Sequence, residues 1–239
     1  MIDKEKLYGY CAELGLEMSE SQLLAFDSFS EWLADWNTKI NLTAITSPDD
    51  ILVKHFIDSL AVLYAAPLKE GSCFIDVGTG GGFPGLPLLI ARPDLHGVLL
   101  DSTLKKLLFV DRVINGLEMQ KRARTLHMRA EEAGIKLQLR GHFDYSVSRA
   151  VANLRELSEY CLPLTKIGGA FVSLKGSKAD EELEEAKGAI KLLGGEVSEI
   201  RRLRLPDGSE RSIIVISKVA PTPPKYPRTR AKMLKEPLK

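Results

Sequence analysis

Residues 74–89, "FIDVGTGGGFPGLPLL", run from an apolar strand through five glycines in eight positions and into a second apolar segment. Glycine at that density leaves bare backbone, which permits left-handed turns and the close approach of a ligand. Two patterns overlap in it. Gly80, Gly82 and Gly85 fit G-x-G-x-x-G, the dinucleotide fingerprint. Gly78, Gly80 and Gly82 fit G-x-G-x-G, with Asp76 two residues ahead of the first glycine. Either would also suit a plain flexible turn. Context favours a site: a strand precedes the loop, a helix follows it, and Asp101 ends the next strand, GVLLD at 97–101. A carboxylate there accepts hydrogen bonds from both ribose hydroxyls, or serves as an ordinary helix N-terminal acid beside Ser102 and Thr103.

Working outward, residues 1–66 read as helical. Ser19 and Gln22 have the spacing of a capping box. Leu23, Phe26, Trp32, Leu33, Trp36 and Ile40 then mark one apolar stripe. Ser47-Pro48-Asp49-Asp50 opens a second helix expected to reach about Leu63. Residues 67–220 alternate strand and helix. They finish in two strands joined by LPDGSE, whose Asp-Gly is a hairpin signal. Five βα-type units ending in a hairpin describe an open α/β sheet with an antiparallel end. Residues 221–239 hold five prolines and six Lys/Arg against one acid, and read as a tail outside the core.

A chain of 239 residues that is 44% hydrophobic can bury a full core. A net charge of +1 excludes a uniformly basic nucleic-acid binder but leaves room for a local basic patch. Cys11, Cys73 and Cys161 are scattered and form no C-x-x-C pair, so reduced thiols are expected rather than disulfides or a metal site. No stretch approaches the ~18 apolar residues of a membrane span, and a cytoplasmic monomer is expected.

The end of the sheet discriminates between ligands. A dinucleotide needs a second mononucleotide half, and here a hairpin stands where that half would be. The pattern Asp-x-Gly-x-Gly-x-Gly also gives Asp76 work, fixing loop amides or meeting an ammonium through water. A ligand that is half nucleoside and half amino acid, without phosphate, is S-adenosylmethionine.

"FIDVGTGGGFPGLPLLIARPD" together with "LLDSTLKKLLFVDRV", "RAEEAG" and "FDYSVSRAVANL" resembles the RsmG (GidB, glucose-inhibited division protein B) methyltransferases. Upstream "WNTKINLTAI" and "VKHFIDSL", and "PPKYPR" near the end, extend the resemblance from about Phe29 onward. One departure is visible. The family carries Gly-x-Pro after its YPR, where this chain has Thr229-Arg230-Ala231-Lys232. The resemblance implies a class I S-adenosylmethionine-dependent methyltransferase (Rossmann-like) sheet with an N-terminal helical extension. It implies methylation of N7 of one guanine in bacterial 16S rRNA, within a small subunit or an assembly intermediate. By motif, Gly78 and Phe83 should line the cofactor, Asp101, Ser102 and Thr103 meet its ribose, and Ala130 and Glu131 frame its adenine. Arg149 should lie where cofactor and substrate meet, as the catalytic residue. Plain core for Phe83 and a solvated helix start for Glu131 are the bland counterparts.

The chemistry agrees by elimination. Exocyclic amine methylation relies on an Asn/Asp-Pro-Pro-aromatic run, and this chain has Ser148-Arg149-Ala150-Val151 after the fourth strand. Carbon-5 methylation needs a nucleophilic cysteine, whereas Cys161 lies in a helical apolar run. Guanine N7 is a bare lone pair that needs alignment and no base. His55, Asp58 and Ser59 fall within about one turn of a helix, unlike a converging triad, and read better as a helix over the cleft. Lys105, Arg129, Lys175 and Arg228 are the expected RNA contacts, with Lys106, Arg122, Arg124, Lys225 and Arg230 around the same mouth. A small-molecule methyltransferase and a non-enzymatic assembly factor are the competing classes. Activity on free metabolites would mark the first, and an unaltered guanine in a deletion strain the second.

Overall fold

The computed structural model describes residues 1–66, 68–149 and 152–238. Pro67, where the expected core begins, lies outside them, as do Ala150, Val151 and Lys239. The Ala150-Val151 half of the expected post-strand motif is therefore outside the described residues.

Parallel strands β1 (Cys73–Val77), β2 (His96–Asp101), β3 (Ala123–His127), β4 (Phe143–Arg149) and β5 (Thr165–Lys175) precede the hairpin strands β6 (Gly195–Arg204) and β7 (Glu210–Lys218). The sheet order is β3-β2-β1-β4-β5-β7-β6, with β7 antiparallel to both its neighbours. The chain reverses between β1 and β4, and that switch point is where such sheets bind ligands.

Alternation along the strands sorts side chains into two cores. Phe74, Leu99 and Val147 face one apolar cluster, while Ile75, Val77, Val98 and Leu100 face the other. Burial on both faces explains why these strands read as nearly continuous apolar runs. The first face is covered by α1 (Lys4–Glu13), α2 (Glu20–Asn37), a π-helical stretch (Ile51–Ile57) that the short α3 (Pro48–Asp50) leads into, α4 (Asp58–Ala65), α5 (Gly85–Ala91) and α6 (Leu104–Gly116). The second face is covered by α7 (Ala130–Ala133), α8 (Leu154–Cys161) and α9 (Ala179–Leu192).

The Ser19 capping box forms as expected: Gln22 N–H donates to Ser19 Oγ, and Ser19 N–H to Gln22 Oε1. The helix expected to end near Leu63 runs to Ala65 and contains the π-helical stretch, where Asp58 N–H reaches back to Val53 O. Three residues widen the account of residues 221–239. Tyr226, Met233 and Leu238 are buried in the second core, and Arg230–Lys235 form α10. The reading of this segment as a tail outside the core is thus corrected: three of its few apolar residues, diluted among prolines and lysines, turn inward, while Leu234 stays exposed. No helix among the described residues is long and apolar enough to cross a membrane.

Candidate functional site

The glycine loop is braced from beneath. Gly78 and Thr79 N–H both donate to Leu100 O, at 2.8 and 2.9 Å. Asp76 is fully buried, and its Oδ2 accepts from Thr79 Oγ1 at 2.6 Å and Gly85 N–H at 2.8 Å. Burial pushes its pKa up to about 7, against those two hydrogen bonds. Of the two tasks expected of Asp76, the structure shows the bracing one. The glycines divide by cause. Gly78 and Gly80 carry φ of +76° and +57° at the cleft wall. A Cβ on Gly82, whose φ is +94°, would meet Leu86 at 2.3 Å, and one on Gly85 would meet Leu99 at 2.1 Å, so packing demands both; Gly82, expected at the cofactor, does not line the cleft.

Above the loop lies a cleft of about 350 Å³. It brings together Gly78, Gly80, Asp101, Ser102, Ala130, Glu131 and Arg149, which stand far apart in sequence. Asp101 takes one amide on each oxygen, Gly80 N–H at 2.9 Å and Thr103 N–H at 2.8 Å. It pins the turn that leads into α6, whose N-cap position is Thr103, and it is also a cleft wall, with acceptor capacity left on each oxygen. Thr103 contributes its amide beneath Asp101 rather than a side chain in the cleft. A buried acid beside bare backbone, with Met128 as an apolar wall, suits the ribose and base of a nucleoside, so the residue set fits S-adenosylmethionine. Sequence reasoning missed Met128, Glu156 and Tyr160 as lining residues, and it placed Lys106 and Arg230, which also line the cleft, only among the basic residues at the mouth. The helical pattern of α8 offered no signal that Glu156 and Tyr160, one turn apart, face the cleft.

Phe83 requires a correction. Its ring does not line the cleft; it is buried in the helical layer, stacked on Phe29 at 5.3 Å and on His55 at 4.3 Å. As the large apolar side chain of the loop, Phe83 joins the aromatic cluster of Phe29 and Phe56.

Arg149 ends β4 and meets the helix over the cleft. Its Nη1 donates to Lys54 O at 2.8 Å and Asp58 Oδ2 at 3.1 Å, and its Nη2 to His55 Nδ1 at 3.0 Å. Asp58 Oδ1 accepts from Arg211 Nε at 2.9 Å. Because a guanidinium only donates, His55 Nδ1 accepts, and its proton sits on Nε2 facing Thr43 Oγ1 at 2.8 Å. Burial, then the Arg149 charge, depress the His55 pKa to about 3, so the ring is neutral. Ser59 Oγ donates to the His55 carbonyl, which leaves no hydrolytic triad. The π-helical stretch carries this cluster, as such stretches often do at functional sites. Arg149 also lines a second cavity of about 420 Å³, with Lys54, His55, Asp58, Lys175 and Arg211. Arg211, at the start of β7, went unnoticed in the sequence because nothing marks it apart from neighbouring surface charges.

The expected RNA contacts separate into two groups. Lys105 is exposed, and Arg129 is exposed at the cleft. Lys175 and Arg228 are corrected. Lys175 is buried, ion-paired with Glu182 at 2.7 Å. Arg228 forms a fork with the buried carboxylate of Glu159, Nε to Oε1 at 2.8 Å and Nη2 to Oε2 at 2.7 Å. Arg122 and Arg124 line a cavity with Cys73, His96 and Gly97 at the amino ends of the strands, away from the expected mouth. Cys161 is fully buried, and burial raises its thiol pKa, which fits core and not a nucleophile.

The family described as GidB, rRNA small subunit methyltransferase G, matches residues 22–214. The chain is 46% identical to the Ribosomal RNA small subunit methyltransferase G of Lachnoclostridium phytofermentans, over 94% of this chain and 93% of that protein. It is 45% identical to that of Clostridium novyi, over 93% and 92%. Among solved structures, TrmN from Thermus thermophilus superposes with a TM-score of 0.53 at 18% identity, covering 68% of this chain and 48% of that one. The 16S rRNA (adenine(1408)-N(1))-methyltransferase from Catenulisporales acidiphilia gives 0.50 at 14%, covering 64% and 87%. These two likenesses are of fold, the class I methyltransferase sheet.

Proposed function

The chain belongs to the GidB family, rRNA small subunit methyltransferase G, and from that premise we propose that it methylates N7 of one guanine in 16S rRNA using S-adenosylmethionine. When bound, that cofactor supplies a methyl group on a positively charged sulfur. Gly78 and Gly80 offer bare backbone to it, Asp101 its carboxylate to the ribose, and Ala130 and Glu131 a wall for the adenine. The observation that carries the reading is Arg149, which lines the cofactor cleft and also the cavity holding Lys54 and Arg211. The acceptor guanine is read into that second cavity, out of its stack as base chemistry requires.

Among the described residues none around Arg149 is poised as a general base, and guanine N7 needs none. His55 is neutral with its free lone pair already accepting from Arg149, and Asp58 is shared between two arginines. Alignment then supplies most of the rate. Lys106 and Arg129 at the cleft, with Lys105 beside them, are read as contacts to RNA phosphates. The substrate is read as a cytoplasmic small subunit or assembly intermediate, met by a monomer. Residues 1–66 are read as a helical unit over a core of 67–220.

The test is methyl transfer from labelled S-adenosylmethionine to small subunits from a strain lacking the gene, with nucleotide-resolution mapping. A single N7-methylguanine in 16S rRNA is expected. Label on another atom, on free metabolites alone, or on nothing would overturn the reading.

A further inference from the structure

Residues 222–238 are held to the second core at successive points. A single guanidinium, that of Arg140, donates to the carbonyls of Thr222, Tyr226 and Gly134 at 2.7–2.8 Å and to that of Pro223 at 3.2 Å. Pro227 packs so closely on α7 that a Cβ at Gly134 would lie 2.7 Å from it. The Arg228 fork on Glu159 follows, strengthened by Arg228 N–H donating to the same carboxylate at 2.8 Å and Nη1 donating to Glu236 O at 2.7 Å. Met233 and Leu238 are then buried.

Between these anchors stands Arg230. Its backbone is fixed on both sides, yet its side chain is 61% exposed and has one loose ion pair, 3.7 Å from Glu156 Oε1. It lines the same cleft as Asp101 and Glu131, beside Tyr160, whose hydroxyl donates to Glu156 at 2.6 Å. The bound segment delivers this side chain to the cleft and leaves it with donors to spare.

We infer that Arg230 is a cofactor-binding residue, presented at the cofactor site by the anchored segment 222–238. The side of the cleft it occupies carries Ala130 and Glu131, read above as the adenine wall, and a purine offers a guanidinium both a π face and acceptor nitrogens. The inference rests on the reading of this cleft as the cofactor site.

The experiment is calorimetric titration of the full chain with S-adenosylmethionine and with adenosine, for wild type, Arg230→Ala and Arg230→Lys, with a thermal melt of each. Arg230→Ala should raise Kd for both ligands roughly three- to tenfold, the scale of one cation–π or charged hydrogen bond. Arg230→Lys should fall between the two, since it keeps charge and loses the plane. All three melts should agree. Unchanged cofactor Kd in a variant beside a binding wild type overturns the inference, including the case where only rRNA binding weakens. A wild type that binds no cofactor instead removes the reading of the cleft, and this inference with it.

Discussion

The carboxylate of Asp58 accepts from Arg149 at 3.1 Å on one oxygen and from Arg211 at 2.9 Å on the other. One buried acid from α4 thereby ties the ends of β4 and β7 to the helical layer, and the side chains of Asp58 and Arg149 are 7% and 13% exposed. The arginine read as catalytic is therefore aimed by the helix above it and not by the sheet that carries it.

Arg149→Lys should remain folded and lose at least about tenfold in methyl transfer. The ammonium cannot reach Lys54 O, Asp58 and His55 with one planar fork. Asp58 keeps Arg211 as a partner, so the melt should move little. Cofactor Kd measured alongside separates the roles: unchanged affinity with lost turnover places Arg149 on the acceptor side. Near-normal turnover by Arg149→Ala would remove it from the site.

Asp58→Ala should behave differently. It strands two arginines at once, and losing one member of a buried ion pair costs roughly 3–5 kcal/mol. A denaturant titration of Asp58→Ala beside Arg211→Ala measures this, and equal, small losses would contradict the shared-carboxylate arrangement.

Asp101→Asn should weaken cofactor binding by roughly 1.5–3 kcal/mol, the range for hydrogen bonds to a charged group. The substitution also removes one of the two oxygens that hold Gly80 and Thr103 N–H, so stability should fall by ~1 kcal/mol, as for one lost hydrogen bond. A titration and a melt on one sample read both. A stability loss with unchanged affinity would leave Asp101 as a brace of the loop and turn alone.

The pH dependence of stability should expose two opposed groups. Asp76, raised to about 7, holds a proton in the folded state that the unfolded chain has released. Its contribution is present below the ordinary carboxylate pKa of 3.8 and is lost as pH rises through 7. His55, depressed to about 3, is neutral when folded, so its contribution is present above 6.5 and lost as pH falls toward 3. The two slopes oppose each other between about pH 4 and 6.5. Wild type should therefore be nearly flat there, while Asp76→Asn gains stability with rising pH and His55→Gln loses it. Parallel curves for all three proteins would rule out both assignments.

Much of this molecule was legible in its sequence. The short apolar runs FIDV and GVLLD, the glycine loop between them, the Ser19 capping box and the Asp-Gly hairpin are local signals, set within a few residues by sterics and hydrogen bonding. They sufficed for the open sheet, its antiparallel end and the acid at the tip of β2. The place of Asp76 in β1 under the loop made a brace one of its two expected tasks, since its partners Thr79 and Gly85 lie within nine residues.

Tertiary structure alone decided where the charges go. Phe83, Lys175 and Arg228 look in sequence like any loop aromatic or basic residue, and only the packing of α2, α9 and α8 turns them inward to Phe29, Glu182 and Glu159. The Asp58–Arg149–Arg211 chain joins residues 91 and 153 positions apart, a separation across which no periodicity or spacing carries information. A charge is solvated, paired or aimed into a cleft according to what surrounds it, and those surroundings exist only once the helices have closed over the sheet.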